Sequence, residues 1–211
     1  MSDEEVTEME DDGDETGGTG ERNEGDETDV NVTTTDELTH TTADGDVQMV
    51  DVGSKPDTRR RAVATGEIRL QRSTLEAIRA DSVEKGDVLA TARVGAIQAV
   101  KHTWETIPMC HQIPITNVDT AFAFRFDDDG HDDTDAVDSD AEDDTTGTLT
   151  LEVAVETTGK TGCEMEALEG VTTGLNVVWD MVKAVEKDDD GQYPSTAIEN
   201  VRVLEKTKRT E

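Results

Sequence analysis

The sequence predicts an α+β domain: an antiparallel sheet carrying helices on one face. Three observations support this. Segments with partial or clear period-two alternation lie at about 62–70, 115–126 and 148–157, and a final apolar run lies at 198–204. Two long stretches of helical spacing, about 87–105 and 163–187, separate them. The second and third strand segments are joined by a polar run, as in a hairpin with an expanded tip.

Taken in order, structure is expected to begin near Met49-Val50-Asp51-Val52. Ala62 to Leu70 reads as the first strand. Ser73 is expected to N-cap a short helix, with Glu76 at the capping-box position and Leu75 and Ile78 facing the core. The next helix, Asp87 to Glu105, is rich in small residues (Ala90, Ala92, Gly95, Ala96, Ala99), which permits close packing, and Pro108 lies beyond its end. Ile115–Phe126 and Thr148–Thr157 are strands, the second with Leu149, Leu151, Val153 and Val155 alternating. From Cys163 to Lys187, Leu168, Val171, Leu175, Val178, Val182 and Val185 form one apolar stripe. Ile198, Val201, Val203 and Leu204 mark the last strand. The resulting order is β-α-β-β-α-β, that of a ferredoxin-like sheet.

The charge is localised. The 211 residues carry 51 acidic and 19 basic side chains, a net charge of -32. Residues 1–46 hold 18 acidic and 1 basic residue, and 127–147 hold 11 acidic and none basic. These two stretches are expected to be a disordered acidic tail and an acidic loop insert in a domain spanning 47–211. The domain itself is nearly balanced. Such acidity suits a high-salt cytoplasm, where carboxylates keep a protein hydrated, and it opposes binding to nucleic acid. Met1 to Asp12 shows no basic then apolar signal, and no apolar run approaches the ~20 residues of a membrane span, so neither secretion nor a membrane is expected. Two cysteines, Cys110 and Cys163, suit a reducing interior. A cytoplasmic location follows.

Several residues are candidates for chemistry. On the last helix, Glu166 and Asp180 lie within about 40° of each other, and Lys183 about 60° beyond Asp180, all expected to project away from the apolar stripe. Spacing alone equally describes a solvated face with an i,i+3 ion pair worth ~0.2–0.5 kcal/mol. Met109-Cys110-His111 follows Pro108; a loop histidine beside a cysteine suits a general acid or phosphate ligand, or simply a capped loop. Zinc is not expected, because the other histidines lie in a tail, a helix and the acidic loop. Lys55, Arg72, Lys85, Arg93 and Lys101 form a basic set suited to a phosphorylated substrate, with Lys85-Gly86-Asp87 at a helix start. Gly159-Lys160-Thr161-Gly162 lacks the spacing of a P-loop and reads as a bend between strand and helix.

Read in order, six blocks resemble the MoaC family in a halophilic archaeal-like version. They are Met49-Val50-Asp51-Val52 with Lys55; Lys85-Gly86-Asp87-Val88 running into Ala90-Thr91-Ala92-Arg93; Ile107-Pro108-Met109-Cys110-His111; Thr158 to Gly162; Glu164-Met165-Glu166-Ala167-Leu168; and Asp180 to Val185. The resemblance covers about 47–126 and 148–206. It implies a lyase, cyclic pyranopterin monophosphate synthase of molybdenum cofactor biosynthesis. The implied substrate is 3',8-cyclo-7,8-dihydro-GTP, made by a radical S-adenosylmethionine cyclase upstream, and pyrophosphate is released. It further implies a homohexamer with active sites at subunit interfaces.

By the same resemblance, Asp180, Lys183 and Lys85 are catalytic. Met109, Cys110, His111, Glu164, Met165 and Glu166 bind substrate, with Lys55 and Arg72 as phosphate contacts. No cofactor or metal is implied; the sequence leaves a magnesium requirement open. Gln112 stands where the family usually has proline, and Cys163 where it commonly has a small aliphatic residue, which reads as packing. The competing readings are a non-catalytic, nucleotide-binding ferredoxin-like module and a structural oligomer adapted to salt.

Overall fold

A computed structural model of the chain describes residues 46–126 and 145–209. The elements are β1 (Thr58–Gln71), α1 (Arg72–Arg79), α2 (Val88–Thr106), β2 (Ile115–Phe126), β3 (Thr146–Gly159), α3 (Glu164–Val182) and β4 (Ala197–Arg209). The sheet order is β2-β3-β1-β4, and all three neighbouring pairs are antiparallel. This is the α+β architecture expected, with the two central strands the most apolar. The expected tail and most of the expected insert fall in 1–45 and 127–144, outside the described residues. The insert's expected end is corrected, because Thr146 and Gly147 pair with Gln71 and Leu70 as part of β3.

The core lies between the central strands and the two long helices. Ile68 and Leu70 of β1 and Leu149, Leu151, Val153 and Val155 of β3 are fully buried against Ala92, Ala96 and Val100 of α2 and Val171, Leu175 and Val178 of α3. Small residues set the helix spacing, as the composition of α2 suggested. A Cβ at Gly174 would lie 2.5 Å from Leu151 Cδ2 and 3.2 Å from Ala96 Cβ, so α3 sits as close to α2 and the sheet as a glycine permits.

Helix ends differ from expectation. The N-cap of α1 is Gln71, not Ser73, because β1 runs directly into the helix and the Thr145 carbonyl takes the Arg72 amide at 2.9 Å. Glu76 then pairs with Arg72 at 3.2 Å rather than closing a capping box. The α2 helix begins at Val88, one residue after its expected start, and Asp87 caps it, Oδ1 accepting from the Ala90 amide at 2.8 Å. The α3 helix stops at Val182, so Val185 does not extend the stripe and is 60% exposed.

Candidate active site

The candidate residues separate into two clusters at opposite ends of α3. At the N-terminal end, the turn Gly159–Gly162 reverses the chain out of β3 and presents the first turn of α3. Lys160 Nζ donates to the Gly53 carbonyl at 2.6 Å, fastening the loop that carries Lys55. That loop is closed by Asp51 Oδ1 accepting from the Gly53 amide at 2.7 Å and by the Lys55 amide donating to the Val52 carbonyl at 3.0 Å. The α2 helix ends at a turn in which the Cys110 amide donates to the Ile107 carbonyl at 3.0 Å, presenting Met109, Cys110 and His111. These pieces enclose a cleft of about 510 Å³ lined by Lys55, Met109, Cys110, His111, Thr161, Gly162, Glu164, Met165 and Glu166, with Val50, Val52 and Ile107 as apolar wall.

Electrostatics differ sharply between the two glutamates of the cleft. Glu166 is 5% exposed; burial pushes its carboxyl up to about 7, its own backbone amide opposes this, and the Glu164 charge adds to it. A group at that value exchanges its proton near neutrality. Glu164 also meets a burial penalty, the largest single influence on it, but the 2.9 Å hydrogen bond from Lys206, its own backbone amide and the Lys206 and Arg60 charges together hold the carboxyl below its usual value. A Cβ at Gly162 would land on the Glu164 carboxylate, so that glycine makes room for the pair. Burial, then the Glu166 charge, raises the Cys110 thiol.

At the C-terminal end of α3, Asp180 lies between two lysines. Lys183 Nζ donates to Asp180 Oδ1 at 2.7 Å, and Lys85 Nζ donates to Asp180 Oδ2 at 3.1 Å and to the Asp180 carbonyl at 2.6 Å. Lys85 reaches it from the loop before α2, 95 residues away in sequence. The hydrogen bonds from Lys183 and Lys85 lower the Asp180 carboxyl, and the one to Asp180 raises Lys183. Lys183 is thereby held as an ammonium ion, and with Lys85 it sets two cationic side chains around one carboxylate, placed to meet an anion.

The single polar face expected for Glu166, Asp180 and Lys183 is therefore corrected. Glu166 is buried at the cleft, while Asp180 and Lys183 are exposed. Fourteen residues at ~1.5 Å rise put the two acids about 21 Å apart along the helix axis. Arg72 belongs to neither cluster: it pairs with Glu76 and lies 5.4 Å above the Phe126 ring. Arg93 donates to Thr120 Oγ1 at 2.9 Å, a link between α2 and β2. Cys163 is packing, as expected, with Sγ 3.4 Å from the Val155 carbonyl and burial raising its thiol to about 11.

Sequence reasoning missed Lys206 and Arg60. Lys206 sits on β4 and reaches Glu164. Arg60 sits on β1 and donates to the Gly159 and Lys160 carbonyls at 3.2 and 3.1 Å, bracing the turn beside the cleft. Their signal was present: cations on strands of a chain with few of them. Which strand positions face the cleft depends on the sheet register.

Comparison with known proteins agrees with the blocks. The MoaC family model matches residues 49–209. A relative from Halobacterium salinarum, named "Probable cyclic pyranopterin monophosphate synthase", is 71% identical over 173 residues, 82% of this chain and 94% of the relative. One of the same name from Natronomonas pharaonis is 69% identical over 174 residues, 82% of this chain and 96% of the relative. A relative from Methanothermobacter thermautotrophicus, named "Probable cyclic pyranopterin monophosphate synthase accessory protein", is 52% identical over 172 residues, 82% of this chain and 95% of the relative. The chain belongs to the MoaC family.

Proposed function

We propose that this chain is a cyclic pyranopterin monophosphate synthase, a lyase of molybdenum cofactor biosynthesis. It takes 3',8-cyclo-7,8-dihydro-GTP from a radical S-adenosylmethionine cyclase and rearranges it to cyclic pyranopterin monophosphate, releasing pyrophosphate. Family membership and the names of the relatives support the activity. The observation that carries the chemistry is the Lys85–Asp180–Lys183 cluster, assembled from two distant segments around one carboxylate.

The residue roles follow from this arrangement. Lys183 and Lys85, both hydrogen-bonded to Asp180, serve as proton donors in ring opening and pterin closure and as counter-charges to developing anions. Glu166, whose carboxyl titrates near neutrality, suits proton exchange with the heterocycle in the cleft beside Met109, Cys110, His111 and Met165. Lys55 and Lys206 supply positive charge for the phosphates. Arg72, far from both clusters in its contacts, is withdrawn from the phosphate set.

The separation of about 21 Å between Glu166 and Asp180 supports a site shared between subunits. One copy would supply the cleft and its neighbour the lysine–aspartate cluster, as in the homohexamer that the resemblance implies. No helix among the described residues is long and apolar enough to cross a membrane. With two free thiols, that supports a cytoplasmic setting. The proposed rearrangement calls on no cofactor or metal.

The test is a coupled assay in high salt on the full chain, supplied with the cyclised dihydro-GTP, following pyrophosphate and pterin. Wild type should turn over, and Lys183→Ala should lose roughly 10²–10⁴-fold in kcat with assembly intact. Tight binding without pyrophosphate release from wild type would sink the enzyme and leave a nucleotide-binding module. Collapse of the assembly in Lys183→Ala would favour a purely structural ion pair.

A further inference from the structure

We propose that Glu186 is a positioning residue for this site, its buried carboxyl fixing the turn that carries Lys183; the inference rests on the catalytic reading of the Lys85–Asp180–Lys183 cluster. Glu186 is fully buried. A carboxyl in that setting is costly unless its oxygens are hydrogen-bonded, and here both are used. Oε1 accepts from the Gln71 amide at 3.1 Å, and Oε2 accepts from Thr196 Oγ1 at 2.6 Å and from the same amide at 3.4 Å.

Those partners belong to different elements. Gln71 is the last residue of β1 and lies beyond the final β1–β4 pair, Arg69 with Ala197. Thr196 is the residue before β4. One side chain thus ties the end of β1, the start of β4 and the chain leaving α3. Its own end is fastened to the helix, because the Val182 carbonyl accepts from the Val185 and Glu186 amides at 3.0 and 3.3 Å. Lys183 lies inside this turn, between buried Val182 and buried Glu186, with its exposed ammonium on Asp180.

The rest of the connection is secured separately. The Gln192 amide donates to Asp188 Oδ1 at 2.7 Å, and the Tyr193 ring meets Trp179 edge-on at 5.7 Å. Neither contact touches the 182–186 turn, which is held at its start by buried Val182 and at its end by Glu186. A leucine would fill the same space but leave the Gln71 N–H and the Thr196 O–H without acceptors. The turn would then rotate to reach water, carrying Lys183 off Asp180. A displacement of about 1 Å at a reacting group costs up to ~100-fold in rate.

The experiment compares wild type, Lys183→Ala, Glu186→Leu, Glu186→Gln and Thr196→Val in the coupled assay, with melting and assembly state recorded. Glu186→Leu should lower kcat roughly 10- to 100-fold with KM within about twofold. Glu186→Gln keeps a carbonyl acceptor and an amide able to face Thr196 Oγ1, and should restore kcat to within about threefold of wild type. Should Glu186→Leu fail to fold, Thr196→Val removes only the 2.6 Å hydrogen bond and should still lower kcat several-fold at unchanged KM. Folded Glu186→Leu or Thr196→Val with wild-type kcat, or a Gln variant as impaired as the Leu variant, overturns the inference. An inactive wild type, or a fully active Lys183→Ala, instead overturns the catalytic reading beneath it.

Discussion

Glu166 should make the stability of this protein fall as pH rises through the neutral range. Its carboxyl has an ordinary value of 4.5 and sits at about 7 in the folded chain. Between those values the folded state holds a proton that the unfolded state has released. Folding is therefore opposed increasingly above pH 4.5, and the opposition levels off above pH 7. A difference of about 2.5 units at 1.36 kcal/mol each gives a loss of about 3 kcal/mol across that window. The cause is local: the carboxyl is 5% exposed at the cleft, with Glu164 adding like charge. Glu166→Gln removes the titration while keeping the shape. Urea unfolding of both proteins in high salt, from pH 4.5 to 8, isolates it, because the acids not coupled to Glu166 contribute equally to each. The difference in unfolding free energy should shift by about 3 kcal/mol in favour of the variant as pH rises. Parallel profiles would refute the burial account and, with it, proton exchange by Glu166 near neutrality.

Two further outcomes follow from the geometry. Asp180→Asn should lower the pKa of Lys183 toward its ordinary value, since the hydrogen bond to Asp180 is what raises it; carbon-13 NMR of labelled lysine reads this directly, and activity should fall with it. Gly174→Val would place a Cβ 2.5 Å from Leu151 Cδ2 and force α3 away from the sheet, destabilising the fold by about 1–3 kcal/mol in thermal unfolding.

Much of the fold was legible because it rests on local patterns. The β2 strand runs from Ile115 to Phe126 as its apolar residues indicated, and α2 occupies Val88–Thr106 within a residue of its expected bounds. The missed cap at Ser73 has a tertiary cause. The first amide of α1, that of Arg72, is taken by the Thr145 carbonyl, and the amide of Gln71 just before it by Glu186, both distant in sequence. The end of α3 was overrun for a similar reason: Val185 continues the spacing, but the turn held by Glu186 takes it into solvent.

The sequence by itself determined the family, the order of elements and nearly every residue type that the chemistry needs, since block order and periodicity are properties of the chain alone. Only the tertiary structure decided which residues meet. It brought Lys85 across 95 positions onto Asp180, set Lys206 on Glu164 and buried Glu166 until its carboxyl sits near 7. It also left Arg72 against Phe126. Periodicity reports angle around an axis and spacing reports distance along it, whereas pairing and burial depend on sheet register and on which segments pack together, which no local pattern encodes.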